Sequence, residues 1–219
     1  MMLRVNRIAY PIDSLGFGRR IALWVQGCDI GCSGCASLDM WDAAGGEEIE
    51  AEDLAVRLAR AAFLNNLCGL SISGGEPTNQ PEALACMVKH LRKALRRCDS
   101  SFADDFDVLV FTGREADEAR SKAPQLWETV DALVCGPYMQ ELPRGDALRA
   151  TSNQTIECVS GLGRIRYALP VTVSRKIQTH VGSDGSVVMA GITDSGDLGK
   201  MKEMLLARGI NLEECSWEN

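Results

Sequence analysis

Apolar residues along this chain alternate between two textures. Four short runs read as strands: Ile21-Ala22-Leu23-Trp24-Val25, Leu70-Ser71-Ile72-Ser73, Asp107-Val108-Leu109-Val110-Phe111 and Val130-Asp131-Ala132-Leu133-Val134. Between them, apolar residues recur at helical spacing: Leu54, Leu58, Ala61 and Ala62, then Leu84, Met87, Val88, Leu91, Ala94 and Leu95. A further helix is expected from Glu115 to Lys122, broken at Pro124. Repeated β-α units with apolar strands imply an α/β fold with a parallel sheet covered by helices.

In such sheets functional groups collect beyond the carboxyl ends of the strands. Four segments follow predicted strands directly: the cysteine loop after Val25, Gly74-Gly75-Glu76-Pro77, Thr112-Gly113 and Gly136-Pro137. The topology is therefore expected to gather them on one rim. After Gly163 the texture changes to β-leaning segments at Ile165–Leu169, Val171–Val173 and Ser186–Met189, with a turn at Ser183-Asp184-Gly185. A last helix is expected from about Thr193-Asp194-Ser195 to Gly209, with Leu198, Met201 and Leu205 on one face. We expect a core over residues 1–163 and a small β-rich appendage over 164–219 that ends in a helix and is joined to the core or part of the same domain.

The 219 residues are 46% apolar and suffice for one ordinary core. No stretch approaches the roughly 20 apolar residues of a membrane span, and residues 1–7 lack the apolar run of a secretory signal. A cytoplasmic protein without a membrane partner is expected. The net charge of −7 argues against a nucleic-acid partner. Nine cysteines then suggest metal chemistry and core packing rather than disulfides. Three cluster, whereas Cys68, Cys86, Cys98, Cys135, Cys158 and Cys215 stand alone and are expected to pack in the interior.

The clustered three, Cys28, Cys32 and Cys35, form CxxxCxxC in a loop with Gly27, Gly31 and Gly34. Thiolates favour iron-sulfur clusters and zinc, and the glycines let backbone amides turn toward sulfur. A cubane held by three cysteines keeps one iron open to another ligand. Structural zinc would need a fourth Cys or His, for which His90 and His180 are the only histidines. A zinc or iron-sulfur protein without catalysis, and a trio of buried cysteines, stand as the alternatives.

CxxxCxxC after a first strand resembles the signature of the radical S-adenosylmethionine enzymes. Leu23-Trp24-Val25-Gln26-Gly27-Cys28, Trp41 and the upstream Gly16-Phe17-Gly18-Arg19 resemble the small activating enzymes of glycyl-radical proteins, especially the activase of anaerobic ribonucleotide reductase. Ser73-Gly74-Gly75-Glu76-Pro77 resembles the segment that binds the methionine ammonium in that superfamily. Thr151-Ser152-Asn153-Gln154 resembles the activases' Ser-Asn-Gln region, and Asp131 with Gly136-Pro137-Tyr138 one of their strand ends, although Cys135 stands where they commonly have Asp. Ala36-Ser37 and Ala150-Thr151 also depart from the activase pattern, and the chain continues beyond their usual end.

The resemblance implies a partial (β/α)6 barrel, a [4Fe-4S] cluster on Cys28, Cys32 and Cys35, and S-adenosylmethionine bound by Gly74, Gly75, Glu76 and Pro77. It also implies reductive cleavage to a 5′-deoxyadenosyl radical, an electron donor of the flavodoxin or ferredoxin kind, and a protein or peptide as hydrogen donor. The function it implies first is activation of a partner protein by abstraction of a glycine hydrogen; modification of a peptide or small metabolite is the alternative. Thr112 and Gly113 are candidates to contact adenosine, against the reading of a polar strand end. Asn153 and Gln154 are candidates to bond a ribose or a partner backbone, against that of a capped turn.

Overall fold

A computed structural model describes residues 1–171, 177–181, 185–194 and 196–218. In chain order the elements are β1 (Met2–Ile12), β2 (Arg20–Val25), β3 (Glu47–Glu50), α1 (Ala51–Leu64), β4 (Gly69–Gly74), α2 (Pro81–Cys98), α3 (Ser100–Asp104), β5 (Asp107–Thr112), α4 (Ala116–Lys122), α5 (Pro124–Trp127), β6 (Ala132–Cys135), β7 (Thr155–Cys158), α6 (Gly161–Tyr167), β8 (Ile177–Val181), β9 (Val187–Gly191) and α7 (Asp197–Leu206). The large sheet runs β3-β1-β2-β4-β5-β6-β7. Its centre, β2-β4-β5-β6, is parallel, with Val25 opposite Gly74, Ile72 opposite Val110 and Thr112 opposite Cys135. The strand ends therefore lie level, and the segments that follow them share one rim.

The flanks depart from the expected all-parallel sheet. Strand β1 pairs antiparallel with β2 and β3, and β7 pairs antiparallel with β6. Local pattern hid these three strands. Register shifts between Val5 and Arg7 and between Ala9 and Ile12 break the alternation of β1, and β3 is Glu-Glu-Ile-Glu, an edge that its charges protect from unwanted pairing.

The alternation of each central strand sorts two cores. Ile21, Leu23, Val25, Leu70, Ile72, Val108, Val110 and Leu133 pack beneath the helices with Leu54, Leu58, Leu84, Met87 and Leu91. On the other face, Ala22 and Trp24 join Ala9, Ile12, Leu15, Met40 and, from β9, Ala190. Leu109, Ala132 and Val134 meet Leu148 and Tyr167 there.

The expected strand at Ile165–Leu169 is instead helix α6 through Tyr167. Ser160 caps it by accepting from the Gly163 amide at 2.9 Å, and the helix delivers Arg166 and Tyr167 to a buried carboxylate, Asp107. The antiparallel hairpin β8-β9 and α7 agree with the β-rich ending and final helix, although α7 begins at Asp197. The expectations at Thr172, Val173, Ser183, Asp184 and Ser195 lie outside the described residues. Among the lone cysteines Cys135 is buried and Cys98 is exposed, so interior packing fails for Cys98, which sits at the solvated end of α2. Among the described residues no helix is long and apolar enough to cross a membrane.

Candidate active site

Beyond Val25 the chain turns back on itself. The Gly27 amide donates to Met40 O at 2.9 Å and the Cys28 amide to Trp41 O at 3.2 Å, so residues 28–39 close as a loop at the rim. The Gln26 side chain fixes its base, donating to Asp39 O at 3.0 Å and Asp42 O at 2.8 Å. Gly27, Gly31 and Gly34 all take positive φ within it.

Burial pushes the Cys28 thiol upward from its ordinary pKa, opposed by hydrogen bonds from the Ile30 and Gly31 amides. Cys32 is pushed upward by the same cause, opposed by the Tyr138 amide. The Ser37 amide donates to Cys35 Sγ at 3.4 Å, so backbone donors converge on all three sulfurs.

The next strand end is locked to this loop by close approach. The Gly75 amide donates to Val25 O and the Glu76 amide to Gly27 O, both at 2.8 Å. A Cβ on Gly75 would stand 2.2 Å from Gly27 O, and one on Gly74 2.5 Å from Val25 N, at a φ of +109°. No other residue fits there. Glu76 is 1% exposed. Its Oε1 accepts from the Thr78 amide at 2.9 Å, the Thr78 hydroxyl at 2.7 Å and the Thr112 hydroxyl at 2.8 Å. Its Oε2 accepts from the Gly113 amide at 2.8 Å. One carboxylate therefore ties β4 to β5 and keeps one acceptor direction of Oε2 unused by these donors.

Cys28, Cys32, Cys35, Gly74, Gly75, Glu76, Thr112, Gly113 and Gln154 line a single cavity of about 250 Å³. Pro77 and Asn153 do not line it. Pro77 opens a buried turn of 3-10 helix, and Asn153 donates to Pro137 O at 2.9 Å while its buried Oδ1 has no hydrogen-bond partner among the described residues. Gln154 donates to Gly136 O at 2.9 Å, so the pair holds the Gly136-Pro137 turn at the rim.

Sequence reasoning named Ser73 and Tyr138 only within resembling motifs, and missed Phe111 and the Gly191-Ile192-Thr193 segment as lining of the cavity. Ser73 and Phe111 alternate onto the inner face, Tyr138 follows β6, and Gly191-Ile192-Thr193 arrives from the far end of the chain. It also missed Arg114, which is buried. The guanidinium grips both Asp29 carboxylate oxygens at 2.7 Å and donates to Thr78 Oγ1 at 2.9 Å, joining the cysteine loop to both neighbouring strand ends. Burial works to raise the Asp29 pKa, but hydrogen bonds from Asn79, Arg114 and Lys122 and the Arg114 charge outweigh it and hold the carboxyl at about 2. A basic residue just after Thr112-Gly113 was the available signal.

Residues 14–157 match the family described as a 4Fe-4S single cluster domain. The chain belongs to that family. The matched span contains all the rim segments and stops at β7, so the 4Fe-4S single cluster domain does not account for β8, β9 and α7. Its relatives include the anaerobic ribonucleoside-triphosphate reductase-activating proteins of Escherichia coli (strain K12), 28% identical over 67% of this chain and 94% of that protein, and of Salmonella typhimurium, 29% identical over 67% and 94%. The pyruvate formate-lyase-activating enzyme of Clostridium pasteurianum is 38% identical over 36% of each chain. Among solved structures, QueE from Escherichia coli aligns over 52% of this chain and 53% of that chain at 19% identity and a TM-score of 0.39, too low to bear on the fold.

The residues present suit an iron-sulfur cluster: three free thiols on one cavity, with amides directed at each of the sulfurs. No fourth cysteine and no histidine lines the cavity among the described residues. That donor set leaves a cubane one iron without a protein ligand and fails the closed four-ligand pattern of structural zinc.

Proposed function

We propose that this protein is a radical S-adenosylmethionine enzyme that takes a hydrogen atom from a glycine of a partner protein, with Cys28, Cys32 and Cys35 holding its [4Fe-4S] cluster. The observation that carries the reading is the meeting of three cysteines, and no fourth among the described residues, with the Gly74-Gly75-Glu76 turn around one cavity. When bound, the reduced cluster supplies one electron to the sulfonium of S-adenosylmethionine, whose C5′–S bond breaks to give methionine and a 5′-deoxyadenosyl radical.

The chain's own residues position and shield that ligand. Gly74 and Gly75 offer backbone at close range, and the unused acceptor direction of Glu76 Oε2 suits an ammonium. Because the Thr112 hydroxyl and the Gly113 amide already serve Glu76, these two residues act on adenosine by shape and through Glu76 rather than by donating to it. Asn153 and Gln154 act through the turn that they hold. Phe111 and Ile30 line the cavity with apolar surface, which excludes water from a radical.

The relatives' names, activating proteins of a reductase and of a lyase, support a protein as the acceptor. The same reading gives a flavodoxin or ferredoxin as electron donor, the cytoplasm as location, the sheet as an incomplete (β/α)6 barrel and the residues after 163 as an appendage. A second reading, hydrogen abstraction from a peptide or small metabolite, is favoured by the hairpin that covers the inner face of the sheet. Mixing reduced enzyme, S-adenosylmethionine and a candidate glycyl-radical partner tests the first: a glycyl signal by electron paramagnetic resonance is expected. Modification of a peptide or metabolite in proportion to enzyme turnover, with no partner radical, would support the second instead.

A further inference from the structure

On the helical side of the sheet a second group of ligand-type side chains meets, away from the cysteine cavity. Cys86 and His90 stand four residues apart on α2 and so share one face of that helix, and Glu52 reaches them from the first turn of α1. Their thiol sulfur, ring nitrogen and carboxylate oxygen all lie within 4.8 Å of one another. The packing of α1 on α2, through Leu54, Leu58, Leu84, Met87 and Leu91, fixes the two backbones that carry them. None of the three lines the cysteine cavity.

The hydrogen bonds of His90 set the direction of its lone pair. Nδ1 lies 2.9 Å from Cys86 O, and a carbonyl only accepts, so Nδ1 carries the proton and donates. In the neutral ring the lone pair is then on Nε2, which faces Glu52 Oε1 at 3.5 Å. An imidazole lone pair and a carboxylate oxygen face each other favourably only across a cation. A proton would draw them toward the about 2.7–2.9 Å of a charge-assisted hydrogen bond. A metal bonded to tetrahedral nitrogen, oxygen and sulfur ligands at about 2.0–2.3 Å holds those ligands about 3.4–3.6 Å apart. The separation of 3.5 Å matches the metal. Cys86 Sγ, 3.5 Å from the same ring, reaches the centre by side-chain rotation, and an Nδ1–H bond to a carbonyl is the usual support of a metal-ligating histidine.

A thiolate, an imidazole and a carboxylate suit zinc, which takes all three, whereas magnesium and calcium want a shell of oxygens that Glu52 alone does not make. We infer that Glu52, Cys86 and His90 form a zinc site that joins α1 to α2, with its fourth position open to water. The site stands apart from the radical chemistry of the cysteine cavity and does not depend on it. As the Zn–S bond forms, the Cys86 thiol gives its proton to solvent, and nothing is oxidised or reduced.

Cluster-loaded full-length enzyme, freed of loose metal and equilibrated with micromolar zinc, tests this, because iron then occupies Cys28, Cys32 and Cys35. One zinc per chain is expected beyond the cluster iron, with one sulfur at about 2.3 Å by X-ray absorption at the zinc edge. Cys86→Ser and His90→Gln should weaken binding roughly 100-fold and Glu52→Gln roughly tenfold, at an iron content near wild type that shows the variants fold. In the wild-type chain zinc should also shield Cys86 from alkylation by iodoacetamide, read by peptide mass spectrometry, while the exposed Cys98 reacts equally with and without it. Alkylation of Cys86 at the same rate in both conditions overturns the site and leaves His90 and Glu52 bridged by a proton. Zinc held at wild-type affinity in both Cys86→Ser and His90→Gln overturns it as well.

Discussion

A buried carboxylate at the far rim shows how single residues divide the labour. Asp107, at the start of β5, is fully buried and faces Arg20 at 2.9 Å, Arg166 and the Tyr167 hydroxyl. Burial alone would raise its pKa, but the Arg20 charge and the hydrogen bonds from Arg20 and Tyr167 outweigh that and hold it below the usual carboxylate range. The unfolded chain therefore binds a proton that the folded chain does not, so this contribution is whole above about pH 5 and drains away as pH falls through the ordinary value near 4. Asp107→Asn should cost about 3–5 kcal/mol, because the buried Arg20 guanidinium loses its counter-charge and Arg166 keeps only the exposed Asp105. Urea unfolding followed from pH 6 to 3 should show a shallower acid decline in the variant; identical slopes would remove Asp107 from the account. At the other rim, Cys32→Ala should abolish cluster iron and sulfide together with 5′-deoxyadenosine release. Cys98→Ala, at an exposed position, should leave both intact.

Among the elements, the Gly74-Gly75 turn makes the sharpest demand. Gly75→Ala would drive a methyl group to 2.2 Å from Gly27 O, so the turn must withdraw from the cysteine loop. A displacement of about 1 Å at a reacting centre can cost roughly 100-fold, and a loss of that order in 5′-deoxyadenosine release is expected, with iron content near wild type. Iron lost in proportion to activity would instead mean that the turn merely supports the loop. The central elements were legible from sequence because their runs are fully apolar and their helices strongly striped. The flanking strands were not, since β1 is bulged and β3 is charged. Helix α6 escaped because its reason for existing, the delivery of Arg166 and Tyr167 to Asp107, is a contact about 60 positions away in sequence. Likewise the cysteines and Gly74–Glu76 could be read locally, but the engagement of Glu76 by Thr112 and Gly113, and the approach of Gly191–Thr193, depend on tertiary neighbours.

The molecule as a whole separates stability from chemistry along the strands of one sheet. Amino ends carry the ionic knot around Asp107, carboxyl ends carry the cysteines and Glu76, and the face away from the helices is covered by the hairpin that lies beyond the matched family region. What the three-cysteine cavity does is independent of which molecule finally gives up its hydrogen. Anaerobic reconstitution with iron and sulfide, then dithionite and S-adenosylmethionine, addresses it most directly. Release of 5′-deoxyadenosine and methionine in equal amounts is expected, dependent on Cys28, Cys32 and Cys35. A reduced, fully loaded cluster that leaves S-adenosylmethionine intact would contradict it.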